Sequence, residues 1–323
     1  MPEMDTAGIG LGGIAAILPP NRSHLDSLHA NGLLISKPAD LVALGFSHAH
    51  LADATHDAAW LAATAASAAL NDAGLSAIDI DALIWASALP ANHVVSGNHP
   101  SSFLAAFNSP ASQLQDSLGM DRAIVHGIAQ QGCGGMFAAL RSARALLVAE
   151  PQLQHVLCVG VDILPVGSPR EILYNVISDA AAAVVVSRSG ARLRWIDCHQ
   201  VSKGYYWDVP ARQKEIIASY FPTSRLVITE LLARNQLSGS GLAHVVPNGI
   251  GAGSWEILCQ LCGIPIDRIR KPAGEFGHTI AADNILHLAA LSKTQALHTG
   301  DKLLLFTYGF GSSWCGILLE QIS

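Results

Sequence analysis

Gln131-Gly132-Cys133-Gly134-Gly135-Met136-Phe137 decides how the rest of the chain is read. Before it runs Ala123-Ile124-Val125-His126-Gly127-Ile128, an apolar stretch of strand length. After it comes Ala138-Ala139-Leu140-Arg141-Ser142-Ala143-Arg144-Ala145-Leu146-Leu147, rich in strong helix formers. Strand, glycine-rich turn and helix in that order place Cys133 at a strand-to-helix junction. The small residues around it leave room for a second molecule. Amide N–H groups and the helix dipole at such a junction favour a thiolate. The thiolate is the form that attacks an acyl carbonyl. A free cysteine is equally at home as a small buried hydrophobe, so the remaining chain must decide between the two roles.

Toward the N-terminus, residues 7–17 are apolar, end at Pro19-Pro20 and predict a first strand. Residues 21–56 are weakly patterned and predict loops and short helices. An Ala-rich helix is expected over 57–73, stopped by Gly74, followed by a strand within 81–88. Residues 89–110 read as a long loop, expected to cover the entrance to the Cys133 site. A short helix over 111–118 leads into the junction. Beyond it, strands are expected at 155–162 and 180–187, the latter an Ala/Val run suited to a sheet centre. Residues 194–220 are more polar and aromatic. The helix and strand at 224–235 and 242–246 repeat 57–88 in outline, and those at 279–297 and 302–306 repeat 133–162; a last strand spans 314–320. The repetition predicts two pseudo-equivalent halves, 1–190 with the cysteine and 191–323 with its polar partners. Alternating strands and helices predict a layered α/β fold with largely parallel sheets.

Composition narrows the function. The chain has 323 residues, half of them hydrophobic and 14% charged, with net charge −6 and mean hydropathy +0.34. Without a basic cluster, nucleic acid is not expected as a partner. No apolar run reaches membrane-spanning length, and the acidic start Met1-Pro2-Glu3-Met4-Asp5 is unlike a secretory signal. The six cysteines lack a disulfide-framework spacing, which predicts a reducing cytoplasm. Cys259 and Cys262 form a lone C-x-x-C pair and are expected to pack in a helix rather than bind metal.

Three polar, Gly-flanked turns follow in the second half: Pro247-Asn248-Gly249-Ile250-Gly251, Phe276-Gly277-His278-Thr279-Ile280-Ala281-Ala282-Asp283 and Tyr308-Gly309-Phe310-Gly311-Ser312-Ser313. Strand ends in α/β folds hold ligands. A cysteine nucleophile needs a base or cationic partner, a second hydrogen-bond donor and an oxyanion hole. His278, Asn248 and the backbone amides of Cys133, Phe310 and Gly311 are the candidates in that order. Taken singly, His278 also suits a helix start, and Asn248 a turn.

With these motifs in place, the chain resembles a ketoacyl-carrier-protein synthase III type enzyme of the thiolase superfamily over nearly its whole length. Gly132-Cys133-Gly134-Gly135 resembles the family's nucleophile junction, and Ser178-Asp179-Ala180-Ala181-Ala182 its Gly-Asp-Gly-Ala-Gly strand entry. Gly277-His278-Thr279-Ile280-Ala281-Ala282 resembles its Gly-Asn-Thr-Ser-Ala-Ala, and Gly309-Phe310-Gly311-Ser312-Ser313-Trp314 its terminal Gly-rich turn. The resemblance implies a five-layered αβαβα fold, a homodimer, and acyl transfer through a cysteine thioester with no bound cofactor or metal. The uncharged run 180–186 fits a sheet core near the shared interface.

Departures from the family fall at the catalytic positions. The family has His in Pro-His-Gln-Ala-Asn, where this chain has Asn248, and Asn where this chain has His278. The two stand exchanged, as in thiolases. Thiolases carry a second cysteine just before the final turn; here Thr307 and Tyr308 stand there, and Cys315 lies beyond. His244, on a strand, is expected to be structural. The family's early Gly-Ile-Arg segment, used for coenzyme A, is matched only by Gly45-Phe46-Ser47-His48, and Arg170 is a loose counterpart of a phosphate-contacting arginine. The donor implied is an acyl thioester of coenzyme A or, given these losses, of an acyl carrier protein. The activity implied is a condensing acyltransferase of fatty-acid or secondary metabolism. Acyl transfer to an oxygen or nitrogen nucleophile, or a non-catalytic subunit paired with an active one, are the alternatives.

Overall fold

The computed structural model describes residues 8–89, 108–269, 276–294 and 296–322. The central strand Ala180–Ser187 shows how the layers arise, since all eight of its residues are buried. Successive side chains of a strand point to opposite faces. Ala181, Ala183 and Val185 join a core with the helices Ala58–Ala73 and Pro110–Leu118. Ala180, Ala182, Val184 and Val186 face the helices Gly135–Ala149 and Asp283–Lys293. The same alternation recurs beyond these two inner helices. Leu303, Leu305, Ile317 and Leu319 pack on them. Leu304, Phe306, Trp314 and Leu318 pack with the outer helices Val209–Arg234 and Ala252–Cys262. The result is five layers, αβαβα, with two helices sandwiched between sheet faces.

The nine main strands form one ladder in the order His244–Val246, Lys302–Gly309, Ser313–Gln321, Leu193–Ser202, Gly10–Ile17, Ala180–Ser187, His155–Asp162, Ala82–Ala86, Ile124–Ile128. Its two portions join where Gly10 faces Arg194 and Leu11 faces Leu193. Expected parallel pairing holds for three neighbouring pairs. The other five are antiparallel, so the sheet is mixed. Lys302–Gly309 and Ser313–Gln321, for example, are joined by a turn far too short for the crossover that parallel neighbours need.

Leu193–Ser202 is a strand that sequence patterning does not reveal. Its polar side chains are matched one by one: Arg194 to Glu320, Asp197 to Arg234, His199 to Glu230 and Gln200 to Arg141. The helix expected from 224 begins earlier, as the span Val209–Arg234, which is kinked at the non-helical Arg212 and runs through Pro222. It is the one helix among the described residues long and apolar enough to cross a membrane. Val227, Ile228, Leu231 and Leu232 of this helix are buried against the sheet. The helix expected from 279 starts at Asp283, because Ile280 takes a left-handed φ of 58°. The expected loop 89–110 lies largely outside the described residues; Pro110 already opens a helix.

A two-stranded hairpin, Glu171–Ile172 with Asn175–Val176, stands apart from the large sheet. Leu173 and Tyr174 form its two-residue turn, both with positive φ, 49° and 63°. Asn and Gly take such positions readily. A bulky side chain there costs about 1–2 kcal/mol per residue.

Candidate active site

The junction forms as its residues require. Gly132–Gly134 make one turn of 3₁₀ helix, and Gly135–Ala149 continues as α-helix. Cys133 therefore sits just ahead of a helix N-terminus. Against it lies the Gly309-Phe310-Gly311 turn. A Cβ on Gly132 would overlap the Phe310 backbone, and one on Gly309 would lie 2.9 Å from the Cys133 amide nitrogen. Glycine at both places lets the two backbones meet. The 309–311 turn thereby lies against the backbone at Cys133.

His278 lies 145 residues further along the chain. Its backbone N–H donates to Val176 O at 2.7 Å, and its carbonyl accepts from Ser178 N at 2.9 Å. So held, its Nε2 lies 3.2 Å from Cys133 Sγ. Its Nδ1 meets Asp283 Oδ2. The left-handed Ile280 and the turn Ile280–Ala282 bring Asp283 back to the imidazole. The Asp283 carboxylate also accepts from Thr279 N at 2.6 Å, Thr279 Oγ1 at 2.7 Å and Gly249 N at 2.6 Å. A Cβ on Gly249 would lie 2.7 Å from Asp283 Oδ1, so that approach too needs glycine.

Burial, with Asp283 only 1% exposed, works against charge on both members of the pair. For Asp283 the facing His278 and the donated hydrogen bonds outweigh it and hold the carboxyl below its ordinary range. For His278, burial is outweighed by Asp283 and then Cys133, which raise the imidazole well above its ordinary value. The arrangement is a cysteine, a histidine and a carboxylate in line, the constellation that activates a nucleophile. Sequence patterning missed Asp283. The available signal was a carboxylate five residues after His278, at the start of a helix.

Asn248 is buried beside the pair. Its backbone carbonyl accepts from Trp255 Nε1 at 3.2 Å, and its side-chain Oδ1 is buried without a hydrogen-bond partner among the described residues. Cys133, His278, Asn248, Tyr308 and Phe310 line one cavity of about 460 Å³. Leu44, Ala88, Leu89, Leu173, Ile216, Phe221 and Ile250 supply much of its apolar wall, and no lysine, arginine or carboxylate lines it among the described residues. Ala88 and Leu89 are tied to Asp162, which also accepts from Ala281 N at 3.2 Å. Burial pushes the Asp162 carboxyl up to about 6, against those bonds and one from Ser87.

One expectation changes here. Arg170 is not at the cavity. It is 3% exposed and pairs with Asp179, at 3.1 Å through Nη2. Asp179 in turn accepts from Ala52 N and Leu164 N. A guanidinium so enclosed is occupied in holding a corner of the fold and has no face for a donor phosphate. Cys315 lies in the sheet, its thiol pushed up to about 12 by burial, so it supplies no second reactive cysteine. His244 bonds Ala296 O at 3.2 Å, away from Cys133. Cys259 and Cys262 pack in the outer helical core, as expected.

Comparison with known proteins gives the chain's family. Residues 129–204 match the family model of 3-oxoacyl-[acyl-carrier-protein (ACP)] synthase III, and residues 232–321 that of its C-terminal part. The two together span just over half of the chain. Beta-ketoacyl-[acyl-carrier-protein] synthase III of Rickettsia canadensis is 25% identical, over 85% of this chain and 88% of that protein. The 3-oxoacyl-[acyl-carrier-protein] synthase III structure from Aquifex aeolicus superposes with TM-score 0.83 at 21% identity, covering 97% of this chain and 100% of that one. ChlB3, described as an acyltransferase, superposes with TM-score 0.82 at 20% identity, over 98% of each chain. The chain belongs to the 3-oxoacyl-[acyl-carrier-protein] synthase III family of the thiolase superfamily.

Proposed function

We propose that this protein is a condensing acyltransferase that carries the acyl group as a thioester on Cys133. The observation that carries the reading is the line Cys133–His278–Asp283, whose first two members line an apolar cavity. In the first half-reaction Cys133 gives its proton to His278 Nε2, and Sγ attacks the thioester carbonyl of the donor. The tetrahedral oxyanion is held by the amides of Cys133 and of Phe310 or Gly311. Collapse breaks the donor C–S bond, and the leaving thiolate takes the proton from His278. In the second, an acceptor thioester loses CO₂, or gives a proton to His278 Nε2, to leave a carbanion. That carbon attacks the acyl carbonyl, a C–C bond forms, and Cys133 leaves. Asn248 hydrogen-bonds the acceptor carbonyl as negative charge builds there.

This division of labour predicts a split. Asn248→Ala removes a hydrogen bond but no titrating group. Transfer should slow by about 10²–10³, with acylation affected far less, as measured by single-turnover mass spectrometry of each step. Equal slowing of both steps would contradict the assignment.

A second reading has its own support. Decarboxylative attack needs no general base, yet Asp283 makes His278 a good one. An alcohol or amine acceptor would give its proton to His278 and attack acyl-Cys133 without C–C bond formation. Product analysis with a malonyl thioester against an alcohol or amine separates the two: a ketone with CO₂ release supports condensation, and an ester or amide supports the second reading.

The donor fits an acyl thioester of a carrier protein or coenzyme A in a reducing cytoplasm, where six free thiols persist. We also propose a homodimer, but not through residues 180–186. That strand lies mid-sheet with both faces buried. Ile124–Ile128 is one of the two outer strands of the ladder, with Ile124 44% exposed. Such an edge offers unpaired backbone groups to a second copy. Sedimentation should give about twice the chain's 33.9 kDa; a stable monomer at micromolar concentration would contradict this.

A further inference from the structure

Asp162 ends the strand His155–Asp162, with its carboxyl buried among backbone amides. Its two oxygens face different parts of the site. Oδ1 accepts from Ala88 N at 2.8 Å and Leu89 N at 3.1 Å. It also accepts from Ser87 Oγ at 3.0 Å, a hydroxyl it shares with Leu89 O. Ala88 and Leu89 are part of the cavity wall. Oδ2 accepts from Ala281 N at 3.2 Å. Ala281 lies in the turn Ile280–Ala282, between His278 and Asp283. Ile280 holds a left-handed φ of 58° there, which a β-branched residue keeps only when its surroundings impose it. Asp283 holds one end of this turn through Thr279 N, and Asp162 holds its middle. The Ala281 side chain packs toward the helix that follows Cys133: a Cβ on Gly135 would lie 3.8 Å from Ala281 Cβ. One buried carboxylate thus joins the cavity wall to the turn that brings Asp283 back to His278.

We propose that Asp162 is a positioning residue for the acylation of Cys133: its carboxylate holds the 280–282 turn, and with it the His278–Asp283 pair, against the cavity wall. This inference rests on the proposed acylation of Cys133. Asp162 does not itself line the cavity, so it acts through the turn and not on the acyl group. Its charge matters to this hold. Burial outweighs the donated bonds and raises the carboxyl to about 6. The titrating groups around it are His278 and Asp283 on either side of the turn, Cys133 ahead of the inner helix, and Asp179 beside Ala180, the strand partner of Asp162. Asp179 is paired with Arg170. The strand Ala82–Ala86 brings none. Farther along the inner helices, Arg141 bonds Gln200, Arg144 lies over Trp195 and His287 meets Phe276. His278 keeps its value well above the ordinary one and Asp283 keeps its value below, so neither changes charge near pH 6. Oδ1, with two amides and a hydroxyl on it, resists a proton, and Oδ2 takes it. The new O–H then confronts Ala281 N–H, and that bond is lost. Asp162→Asn fixes the same neutral state at every pH, with its amide group toward Ala281.

The test measures acylation of Cys133 by an acyl-N-acetylcysteamine thioester, and its alkylation by iodoacetamide, in the wild type and Asp162→Asn from about pH 5 to 8. The ratio of wild-type to variant rate constants cancels any titration of Cys133 and His278 that both proteins share. That ratio should be about 10- to 100-fold at the alkaline end, as a displaced catalytic group costs. It should fall toward one at the acid end, with its midpoint at about 6. A ratio independent of pH, whether large or equal to one, would make Asp162 a part of the fold only and overturn the proposal. If Asp162→Asn does not fold, the wild type alone decides. Hydrogen-exchange protection of Ala281 N, relative to Thr279 N on Asp283, should fall as the pH drops from about 7 to 5. Constant relative protection would overturn the proposal. The two reagents keep the readings apart. Without any acyl adduct, a pH-dependent alkylation ratio would sink the acylation reading and still support the hold on His278. Acylation with a constant ratio would sink the role of Asp162 alone.

Discussion

His278→Ala should slow acylation of Cys133 by about 10²–10⁴, the range for a lost acid–base partner. The geometry gives the reason. His278 Nε2 is 3.2 Å from Sγ, and Asp283 favours its charged form. Without the imidazole, the thiol has no acceptor for its proton, and the leaving thiolate has no donor. The deficit should also appear as slower alkylation of Cys133 by iodoacetamide near neutral pH. Transfer from a pre-formed acyl-enzyme to a carbanion should suffer less, because Asn248 and the backbone amides remain. Rates unchanged in both steps would remove His278 from the site.

Asp283→Asn should be nearly as severe, and it reads differently. The side chain keeps its shape, but its amide group then confronts N–H donors from Thr279 and Gly249. It also leaves a buried imidazole without its counter-charge. Breaking a buried ion pair from one side costs about 3–5 kcal/mol, and the loss in rate should approach that of His278→Ala. The stability effect has a pH signature. His278 has its value raised from 6.5, so its contribution is complete below about pH 6.5 and is lost as pH rises through the raised value. Asp283 has its value lowered from 3.8, so its contribution is complete above about pH 4 and is lost on acidification. Wild type and variant should therefore differ most in unfolding free energy between about pH 4 and 6.5. The gap should narrow on either side. A gap independent of pH, measured by urea unfolding, would show that the two side chains are not a charged pair in the folded protein.

Asp283 also shows what the sequence could and could not convey. Cys133 was legible because strand, glycines and helix follow one another locally. His278 and Asn248 were legible through glycine-flanked turns that resemble a family's motifs. Asp283 stood in the same quoted stretch as His278. Its role depends on Ile280 adopting a left-handed backbone, which an isoleucine does not announce. The fold divides similarly. Apolar alternation exposed most strands, but Leu193–Ser202 hides its pattern behind polar side chains whose partners lie far away in sequence. The helix expected over 224–235 extends back through Pro222, on a face where Val227, Leu231 and their neighbours pack. Arg170 was matched to a ligand contact only as a loose counterpart of the family's phosphate-contacting arginine. Only the structure shows Asp179 facing it.

The central claim is that Cys133 carries the acyl group. Intact-protein mass spectrometry after brief exposure to a panel of acyl thioesters tests it most directly. The account predicts a single added acyl mass on the wild type, mapped to Cys133 by peptide analysis and absent in Cys133→Ala. An adduct that persists in Cys133→Ala, or no adduct on the wild type across the panel, would contradict it.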